Sequence, residues 1–224
     1  MRISVIIPAL NESAAIEASL AALPRREGLE VVVADGGSTD DTRARAEARG
    51  ARVIDAPRGR GPQMNAGARA STGEVLFFVH ADTRLPDDAY EQIETALADT
   101  NVPGGAFHLA IDGNGWFYRF TARNANIRSR LAGAPYGDQA FFVRRADFDA
   151  LDGYRNLVYC EDLDFIRRLR RRGRVVLVPA AVFTSARRWQ QRGRLRVTLR
   201  NGTLFFRYWL GLLPERSTEG ADPR

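Results

Sequence analysis

The strongest constraint on the fold of this chain is the regular recurrence of short apolar runs in its first half. Runs at 3–8, 29–34, 51–54 and 75–79 are β-branched or apolar, and a helix-compatible stretch separates each from the next. Buried parallel strands have this composition, and the stretches between them form the helical crossovers. The first half of the chain therefore predicts a β-α-β-α-β-α-β unit.

The second half of the chain is less regular and predicts a mixed sheet. An alternating run covers 105–111, a helix-like segment covers 116–131, and a strand-like segment covers 140–143. The segment 161–172 has acids in its first turn and arginines in its last, which complements a helix dipole, and 175–178 predicts another strand. We therefore expect an α/β fold with a mostly parallel mixed sheet flanked by helices.

The length and composition of the chain fit one large domain. It has 224 residues, 45% of them hydrophobic, which is enough to bury a substantial core. We expect this domain to cover 1–192. The segment 193–216 predicts an amphipathic helix that packs on the domain, on the second subunit of a homodimer or on a membrane, and 217–224 predicts a disordered tail.

Basic residues outnumber acidic residues, and the excess lies mainly after residue 165. The chain has 33 Lys+Arg against 27 Asp+Glu, a formal net charge of +6. Such an excess favours anionic partners, such as a nucleotide diphosphate, a nucleic acid or an anionic membrane surface. Because no strong nucleic-acid motif accompanies the arginines, we expect no nucleic-acid partner.

Cysteine content and hydropathy bear on the cellular location. The single cysteine, Cys160, excludes an internal disulfide framework and suits a reducing compartment. The N-terminus lacks the features of a signal peptide, and no stretch approaches the ~18 to 20 apolar residues of a membrane span. We expect a cytoplasmic protein, with peripheral contact at the inner membrane face through the C-terminal helix as the alternative.

Functional residues are expected directly after the strands, because ligands of open parallel sheets bind beyond the carboxyl ends of the strands. The exit at 35–40 combines a carboxylate, two glycines, and Ser38 and Asp40 as helix N-caps. Open backbone amides beside a carboxylate suit a nucleotide. The alternative is an ordinary glycine-rich crossover turn, and no G-x-G-x-x-G fingerprint follows the first strand.

Asp82 follows the apolar run 75–79 at a strand end that would hold its carboxylate rigidly. Such a carboxylate, together with water and phosphate oxygens, suits a hard divalent cation such as Mg²⁺ or Mn²⁺. The alternative is a strand-end turn in which Asp82 caps the next helix. Because the chain has only two histidines, we do not expect a multi-histidine zinc site.

Three carboxylates, Glu161, Asp162 and Asp164, cluster at the start of a predicted helix. The positive end of the helix dipole keeps such an acid ionised and able to accept a proton, as a general base must. The alternative is an ordinary acidic first turn, balanced by the arginines that follow in the same helix.

Taken together, these segments resemble the family 2 glycosyltransferases, which share the GT-A fold. The segments 4–12 and 33–40 are similar to the family's opening strand with its nucleotide-contacting loop and to its base-binding element. His80-Ala81-Asp82 resembles the Asp-x-Asp motif with its first acid replaced, and Glu161-Asp162 resembles the acidic pair near the acceptor. The resemblance extends to about residue 190 in matching order.

Two further segments refine the resemblance. Asn65-Ala66-Gly67 resembles the segment that leads into the metal strand, although Met64 stands where an arginine is common. The segment 185–189 resembles the Gln-x-x-Arg-Trp motif of processive members, with Ser185 in place of the glutamine, which argues against processive polymerisation. The compact length and the Gly-Gly-Ser and His-Ala-Asp variants also resemble small bacterial members, some of them associated with arsenosugar pathways.

The resemblance implies an inverting, metal-dependent transfer of a sugar from a nucleotide diphosphate sugar, such as a UDP-sugar, to an unidentified acceptor hydroxyl. Asp162, with Glu161, is implied as the catalytic pair, and Asp82 as the ligand of Mn²⁺ or Mg²⁺. The residues implied to bind the nucleotide are Pro8, Ala9, Asn11, Glu12, Asp35, Gly37, Ser38, Asp40, Arg60, Asn65 and Ala81, and those implied to face the sugar or the acceptor are Gly105, Asp138, Gln139, Arg188 and Trp189.

Two other functions are compatible with parts of this pattern. A nucleotidyltransferase on a related fold would use the same metal and nucleotide groups at an α-phosphate, but it would have no use for Glu161 and Asp162. A non-catalytic module that binds nucleic acid or a membrane surface would use the basic C-terminal third. Neither alternative explains the ordered acids at the strand ends.

Overall fold

The computed structural model of the protein describes residues 1–24, 26–132, 135 and 137–212. At positions 131, 132, 188, 195, 205 and 209 the backbone alone is described. The predicted tail at 217–224 lies outside the described residues, as does the end of the predicted C-terminal helix, 213–216.

The first half of the chain forms the predicted parallel unit. Three of its strands pair side by side in parallel, and a fourth joins the other edge of the first. The elements, in chain order, are β1 Ile3–Ala9, α1 Ile16–Ala21, β2 Glu30–Asp35, α2 Thr42–Ala48, β3 Arg52–Asp55, α3 Arg60–Ala70 and β4 Val75–Phe78.

The second half adds antiparallel strands and further helices, so the sheet is mixed, as the irregular pattern predicted. The strand β7 runs antiparallel to both of its neighbours. The elements are β5 Thr83–Arg84, α4 Ala89–Leu97, β6 Gly104–Asp112, α5 Trp116–Ala132, a 3-10 turn at Gly137–Gln139, β7 Phe141–Arg144, α6 Arg145–Ala150, α7 Glu161–Leu169, β8 Val176–Ser185, α8 Arg187–Arg192 and α9 Arg194–Trp209.

Within the described residues, eight strands form one sheet in the order β3-β2-β1-β4-β7-β6-β8-β5. The chain moves outward from β1 to β2 and β3 on one side and then returns to place β4 on the other side. The carboxyl ends of β1 and β4 therefore flank a topological switch point, where a crevice opens in sheets of this kind. This arrangement fixes where a ligand can bind.

The core lies on both faces of the sheet, because its central strands are apolar on both sides. In β4, Val75 and Phe77 belong to one buried cluster, whereas Leu76 and Phe78 belong to a second cluster on the opposite face. Fully buried parallel strands read as continuous apolar runs for this reason. A third, smaller cluster lies beneath α5, α8 and α9 and includes Tyr118 and Trp189.

Two elements differ from the sequence-based prediction. The strand predicted at 175–178 continues to Ser185, because a register shift opposite Phe107 and His108 places Pro179 at a β-bulge, where the missing N–H breaks no ladder bond. The helix predicted at 193–216 is preceded by the separate helix α8, and Gly193, with φ 85°, divides the two. None of the described helices is long and apolar enough to cross a membrane.

Candidate active site

The loop that follows β1 is fastened to the turn that follows β2. The backbone N–H of Asn11 donates to Ser38 Oγ at 2.9 Å, and the Thr39 N–H donates to Asn11 Oδ1 at 2.9 Å. Asn11 has φ 54°, a left-handed conformation that asparagine tolerates better than most residues. These reciprocal bonds fix the first strand exit against the second.

Two aspartates of the second exit, the buried Asp35 and the exposed Asp40, hold this junction through hydrogen bonds. Asp35 is buried at the end of β2, accepts the N–H groups of Gly37 and Ser38, and pairs with Arg43. Asp40 accepts bonds from Thr42 and Ser13. Although burial raises it, these hydrogen bonds lower the pKa of Asp40 to about 2. The predicted base-binding segment is therefore a rigid, internally bonded turn.

Gln63, a residue of α3, links the ends of β1 and β2 through its side-chain amide. Its Nε2 donates to the carbonyl of Ala9 at 2.7 Å and to the carbonyl of Ala34 at 2.9 Å. Gln63 is buried, and its amide satisfies two carbonyls at the point where β1 and β2 diverge. It therefore positions the loop after β1.

The end of β4 and the start of α7 converge at Gly137. A Cβ added to Gly137 would lie 3.1 Å from Asp162 Oδ2 and 3.3 Å from His80 Nε2. The backbone N–H of Gly137 donates to Asp162 Oδ2 at 2.5 Å, and the N–H of Leu163 donates to Asp162 Oδ1 at 2.8 Å. A side chain at 137 would crowd both groups, and glycine leaves room for their approach.

Glu161 and Arg60 form an ion pair in which the glutamate is buried. Arg60 Nε lies 3.1 Å from Glu161 Oε1, and the glutamate side chain is 2% exposed. Burial lowers the pKa of the Arg60 guanidinium, but the carboxylates of Glu161, Asp162 and Asp138 outweigh this effect and raise it above its ordinary value. Arg60 therefore supplies a permanent positive charge to an otherwise acidic region.

Cys160 precedes the acidic pair in a left-handed conformation, with φ 61°. Burial raises the pKa of its thiol to about 12, and the carboxylates of Asp162 and Glu161 add to this shift. The thiolate is the nucleophilic form of cysteine. Cys160 is therefore an inert lining residue rather than a nucleophile.

Two arginines connect the C-terminal helices to the cleft. Arg187 donates to Glu12 in the loop after β1. Arg200 Nη2 donates to Tyr159 Oη at 3.1 Å, and its guanidinium lies 5.6 Å from the centre of the Tyr159 ring. The helix α9 thus covers the open side of the crevice.

Two adjoining cavities occupy this crevice. The outer cleft, of about 750 Å³, is lined by the loop after β1, the end of β4, and α8 and α9. The inner pocket, of about 130 Å³, shares six lining residues with the outer cleft: Arg60, His80, Asp82, Tyr159, Asn201 and Leu204. The remaining lining residues of the inner pocket are Asp138, Cys160, Glu161, Asp162, Thr184, Ser185 and Trp189.

Many of the site residues predicted from the sequence meet in these cavities. The outer cleft is lined by the predicted nucleotide contacts of β1, β4 and α3, and the inner pocket is lined by the predicted catalytic pair and two predicted acceptor contacts. They are Pro8, Ala9, Asn11, Glu12, Arg60, Ala81 and Asp82 for the cleft, and Glu161, Asp162, Asp138 and Trp189 for the pocket.

Other predicted site residues stabilise the cleft without lining it. Asp35, Gly37, Ser38 and Asp40 do not line either cavity, but they brace the loop that does. The side chain of Arg188 lies outside the described residues.

Three predicted contacts lie in structural positions instead. Both polar atoms of the Asn65 side chain bond the backbone of Tyr154, at 2.8 and 2.9 Å. Gln139 is fully buried and bonds Ser129 and the carbonyl of Phe107. A Cβ on Gly105 would meet Phe142 and Val176 at 2.6 Å, so this glycine serves strand packing. None of the three lines either cavity, and their role as ligand contacts stays a prediction.

The structure also places in the site residues that the sequence reasoning missed. Tyr159 stands two residues before Glu161, and Arg187 stands in the Ala-Arg-Arg-Trp segment, so proximity to both motifs was an available signal. No local pattern indicated Gln63. The contribution of Asn201 and Leu204 depends on how α9 folds back over the cleft, which periodicity does not predict.

The sequence of this chain matches a known protein family. The family model described as Glycosyl transferase family 2 matches residues 4–151. The curated glucosyl-3-phosphoglycerate synthase of Mycobacterium tuberculosis is 39% identical over 96 residues, which cover 38% of this chain and 30% of that protein. The chain thus spans less than a third of the length of this curated relative.

Solved structures share the fold at low sequence identity. A mannosyltransferase from Pyrobaculum calidifontis in complex with GDP-Man and Mn²⁺ has a TM-score of 0.67 and 23% identity, covering 81% of this chain and 56% of that chain. Glucosyl-3-phosphoglycerate synthase from Mycobacterium tuberculosis, in complex with Mn²⁺, UDP and glucosyl-3-phosphoglycerate, has a TM-score of 0.60 and 22% identity, covering 80% and 70%. These matches confirm the expected GT-A fold.

Proposed function

The chain belongs to glycosyl transferase family 2, and from this premise we propose that it transfers a sugar from a nucleotide diphosphate sugar to an acceptor hydroxyl. The observation that carries the proposal is the inner pocket, which Asp82 and Asp162 line together. One carboxylate comes from the end of β4 and the other from the first turn of α7. A group at the leaving diphosphate and a group at the attacking hydroxyl can therefore act within one space.

The outer cleft is the proposed donor site. It lies at the switch point of the sheet, its floor is the braced loop after β1, and its volume of about 750 Å³ accommodates a nucleotide. Arg58, Arg60 and Arg187 line it and favour a diphosphate. Because the solved synthase was crystallised with UDP, a UDP-sugar is the first donor to test.

The residues of the cleft fit a divalent cation that the donor helps to bind. Among the described residues, no group of three or more His, Cys, Asp or Glu side chains could hold a metal alone. Mg²⁺ is usually held by one or two carboxylates together with phosphate and water oxygens. Asp82, which lines both cavities, supplies such a carboxylate. When bound, Mn²⁺ or Mg²⁺ would neutralise charge on the diphosphate.

Asp162 is the proposed general base. Glu161 is committed to the ion pair with Arg60, whereas Asp162 is held by two backbone N–H groups and lines the pocket with 9% of its surface exposed. These bonds orient the carboxylate toward an acceptor hydroxyl. A base that accepts this proton as the hydroxyl attacks the anomeric carbon, opposite the leaving diphosphate, produces an inverted product.

The acceptor approaches past Asp138 and Trp189 in this proposal. The indole N–H of Trp189 is buried and has no hydrogen-bond partner among the described residues, so an acceptor or sugar oxygen would satisfy it. Ser185, which stands in place of the glutamine of processive members, supports a single transfer rather than polymerisation. The resemblance to arsenosugar-associated members stays a prediction.

The C-terminal helix α9 is proposed to make peripheral membrane contact on the cytoplasmic side. Its Val197 is buried against Trp189 and Tyr118, so one side of the helix packs on the domain. On the other side Leu199, Phe206 and Leu210 are more than half exposed. Exposed apolar residues on a helix that carries several arginines are typical of a membrane-surface helix. The predicted homodimer is the competing occupant of this side.

Donor hydrolysis by the purified chain tests the proposed function. The expected result is metal-dependent release of the nucleotide diphosphate from one member of a panel of nucleotide sugars. NMR of the anomeric coupling in the transferred product then tests inversion. Release of pyrophosphate from a nucleoside triphosphate instead would identify a nucleotidyltransferase and would refute the proposal.

A further inference from the structure

The helix α5 carries an exposed apolar stripe that the proposed site does not use. The side chains of Trp116, Phe120 and Ile127 are 71%, 57% and 43% exposed. Residues four and seven positions apart lie on the same side of a helix, so the three form one row. The rings of Trp116 and Phe120 are in edge contact, with centroids 6.2 Å apart. The stripe is therefore a continuous surface.

An arginine follows each apolar residue of this stripe three positions later. Arg119, Arg123 and Arg130 are all exposed, and none forms an ion pair or hydrogen bond within the described part of the chain. The sequence contains no Asp or Glu between Asp112 and Asp138. We call these three apolar and three basic residues the α5 face. All the charges on this face are positive.

The opposite side of α5 is fixed to the sheet by hydrogen bonds between Asn126 and the backbone of Leu109. Asn126 accepts from the Leu109 N–H at 2.8 Å and donates to the Leu109 carbonyl at 3.0 Å. Tyr118 and Ala122 are buried in the small core cluster on the same side. The helix therefore has its core contacts on this side, while the side chains of Trp116, Phe120 and Ile127 stay exposed. The three arginines of the face and Ile127 border a groove of about 670 Å³ between α5 and the sheet, next to Leu109 and Asn126.

We propose that the α5 face binds the surface of an anionic lipid bilayer. Aromatic rings at the level of the head groups, with arginines that reach lipid phosphates, give a helix both an apolar anchor and an electrostatic attraction. Charge complementarity selects this occupant over a second copy of the chain. A symmetric dimer through this face would oppose two sets of three arginines without an acid between them.

The α5 face is separate from α9 and from the cleft. No residue of the face lines the outer cleft or the inner pocket within the described residues. The start of α9 touches the buried side of α5, where the Arg194 guanidinium lies 5.1 Å from the centre of the Tyr118 ring. Lipid binding by α5 can therefore be measured independently of α9 and of glycosyl transfer.

Co-sedimentation of the full chain with vesicles tests this proposal. Phosphatidylcholine vesicles with phosphatidylglycerol should bind the protein at low salt, and vesicles of phosphatidylcholine alone should bind it far less. The double variant Arg119→Gln/Arg123→Gln should lower the partition coefficient by at least about tenfold, since each arginine near an anionic surface contributes separately. Trp116→Ser/Phe120→Ser should give a comparable loss by removing the anchor.

The matched control is Arg69→Gln/Arg171→Gln, which removes the same charge from exposed arginines of α3 and of the turn after α7. It should bind vesicles nearly as wild type does. Titration with UDP and Mn²⁺ should be unchanged for every variant, which separates lipid binding from the proposed donor site. Equal partition of wild type and both α5 variants, or a dimer in light scattering that Trp116→Ser/Phe120→Ser dissociates, would overturn the proposal.

Discussion

Arg187 Nη2 donates to Glu12 Oε2 at 2.5 Å and so joins two residues that are 175 positions apart in the chain. The arginine begins α8, and the glutamate lies in the loop after β1. The hydrogen bond to Glu12 raises the pKa of Arg187 above its ordinary value, although burial lowers it, and the carboxylate of Asp82 adds a smaller increase. Arg187 is thus placed between two acids of the cleft and closes its rim.

We predict that Arg187→Gln weakens donor binding more than it weakens the fold. Glu12 and Arg187 are each about a third exposed, and ion pairs of this exposure contribute only ~0.2 to 1 kcal/mol to stability. The free energy of unfolding should therefore change little. The affinity for UDP, measured by calorimetry with Mn²⁺, should fall by about tenfold because a charge-assisted contact to the diphosphate is lost.

A double-mutant cycle with Glu12→Gln checks this assignment. If the pair mainly orients the loop after β1, the losses in the double variant should be smaller than the sum of the single losses. Arg69→Gln is the control for a surface charge. Unchanged UDP affinity in Arg187→Gln would remove this arginine from the donor site.

Asp82→Ala should abolish turnover and metal-dependent donor binding, because the cation loses its protein carboxylate. His80→Ala should have a milder effect. The control is Asp87→Ala, which removes an exposed carboxylate five residues further along the chain. Calorimetry of UDP with and without Mn²⁺ measures the coupling, and undiminished turnover by Asp82→Ala at ordinary metal concentrations would contradict the assignment.

Asp162→Asn should leave donor affinity nearly intact and lower kcat by at least ~10²-fold, since the amide keeps the shape and loses the basicity. General-base contributions of ~10² to 10⁴ correspond to about 3 to 5 kcal/mol of barrier. Asp149→Asn, an exposed change on α6, is the control. A donor-binding defect with a normal rate at saturation would instead place Asp162 in the nucleotide site.

The sequence predicted the parallel half of the fold well, because buried parallel strands have continuous apolar sequences. The runs at 3–8 and 75–79 became β1 and β4 with ends shifted by one residue or less. The same logic located Asp82, since a strand end at a switch point fixes where a side chain appears. Local pattern and site position are linked directly in this part of the chain.

Other features depended on tertiary contacts that no local pattern encodes. The resemblance implied Gly105 and Gln139 as sugar or acceptor contacts, and the structure places both in the packing around β6 and β7. The strand after 175 was predicted too short because Pro179 signals an end unless a bulge accommodates it. The reach of Arg187 across the cleft depends on the whole sheet order and was therefore beyond sequence reasoning.

The raised pKa of Cys160 predicts how the stability of the fold depends on pH. Burial raises the pKa of its thiol from the ordinary 9.0 to about 12 in the folded protein. The folded state thus keeps a proton that the unfolded state loses between these values, so this contribution to stability is complete below pH 9.0 and is lost as the pH rises toward about 12. Chemical denaturation of Cys160→Ser across this range should show a shallower decline than wild type.

Alkylation offers a second readout of the same thiol. Iodoacetamide should modify native Cys160 slowly at neutral pH, because the thiolate is scarce. Asp162→Asn should accelerate the reaction by removing one of the carboxylates that disfavour the thiolate. Rapid alkylation of the native wild type would show that the thiol is less buried than the structure indicates.

Substitutions on the two sides of α9 should differ in their effect on stability. Val197 is buried in the cluster with Tyr118 and Trp189. Val197→Asp should therefore destabilise the fold by about 3 kcal/mol, because it buries an unpaired charge. Leu199 is 62% exposed, and Leu199→Asp should leave the thermal midpoint nearly unchanged. Thermal unfolding of the two variants distinguishes the packed side from the free side.

Vesicle binding then decides what the free side of α9 does. Phe206→Ser/Leu210→Ser should lower co-sedimentation with anionic vesicles at low salt while the thermal midpoint and UDP affinity stay near wild type, because both side chains are more than half exposed. If co-sedimentation is unchanged and light scattering shows a dimer that this variant dissociates, the free side is a subunit interface. If Val197→Asp and Leu199→Asp destabilise equally, α9 is buried on both sides and the membrane contact through this helix fails.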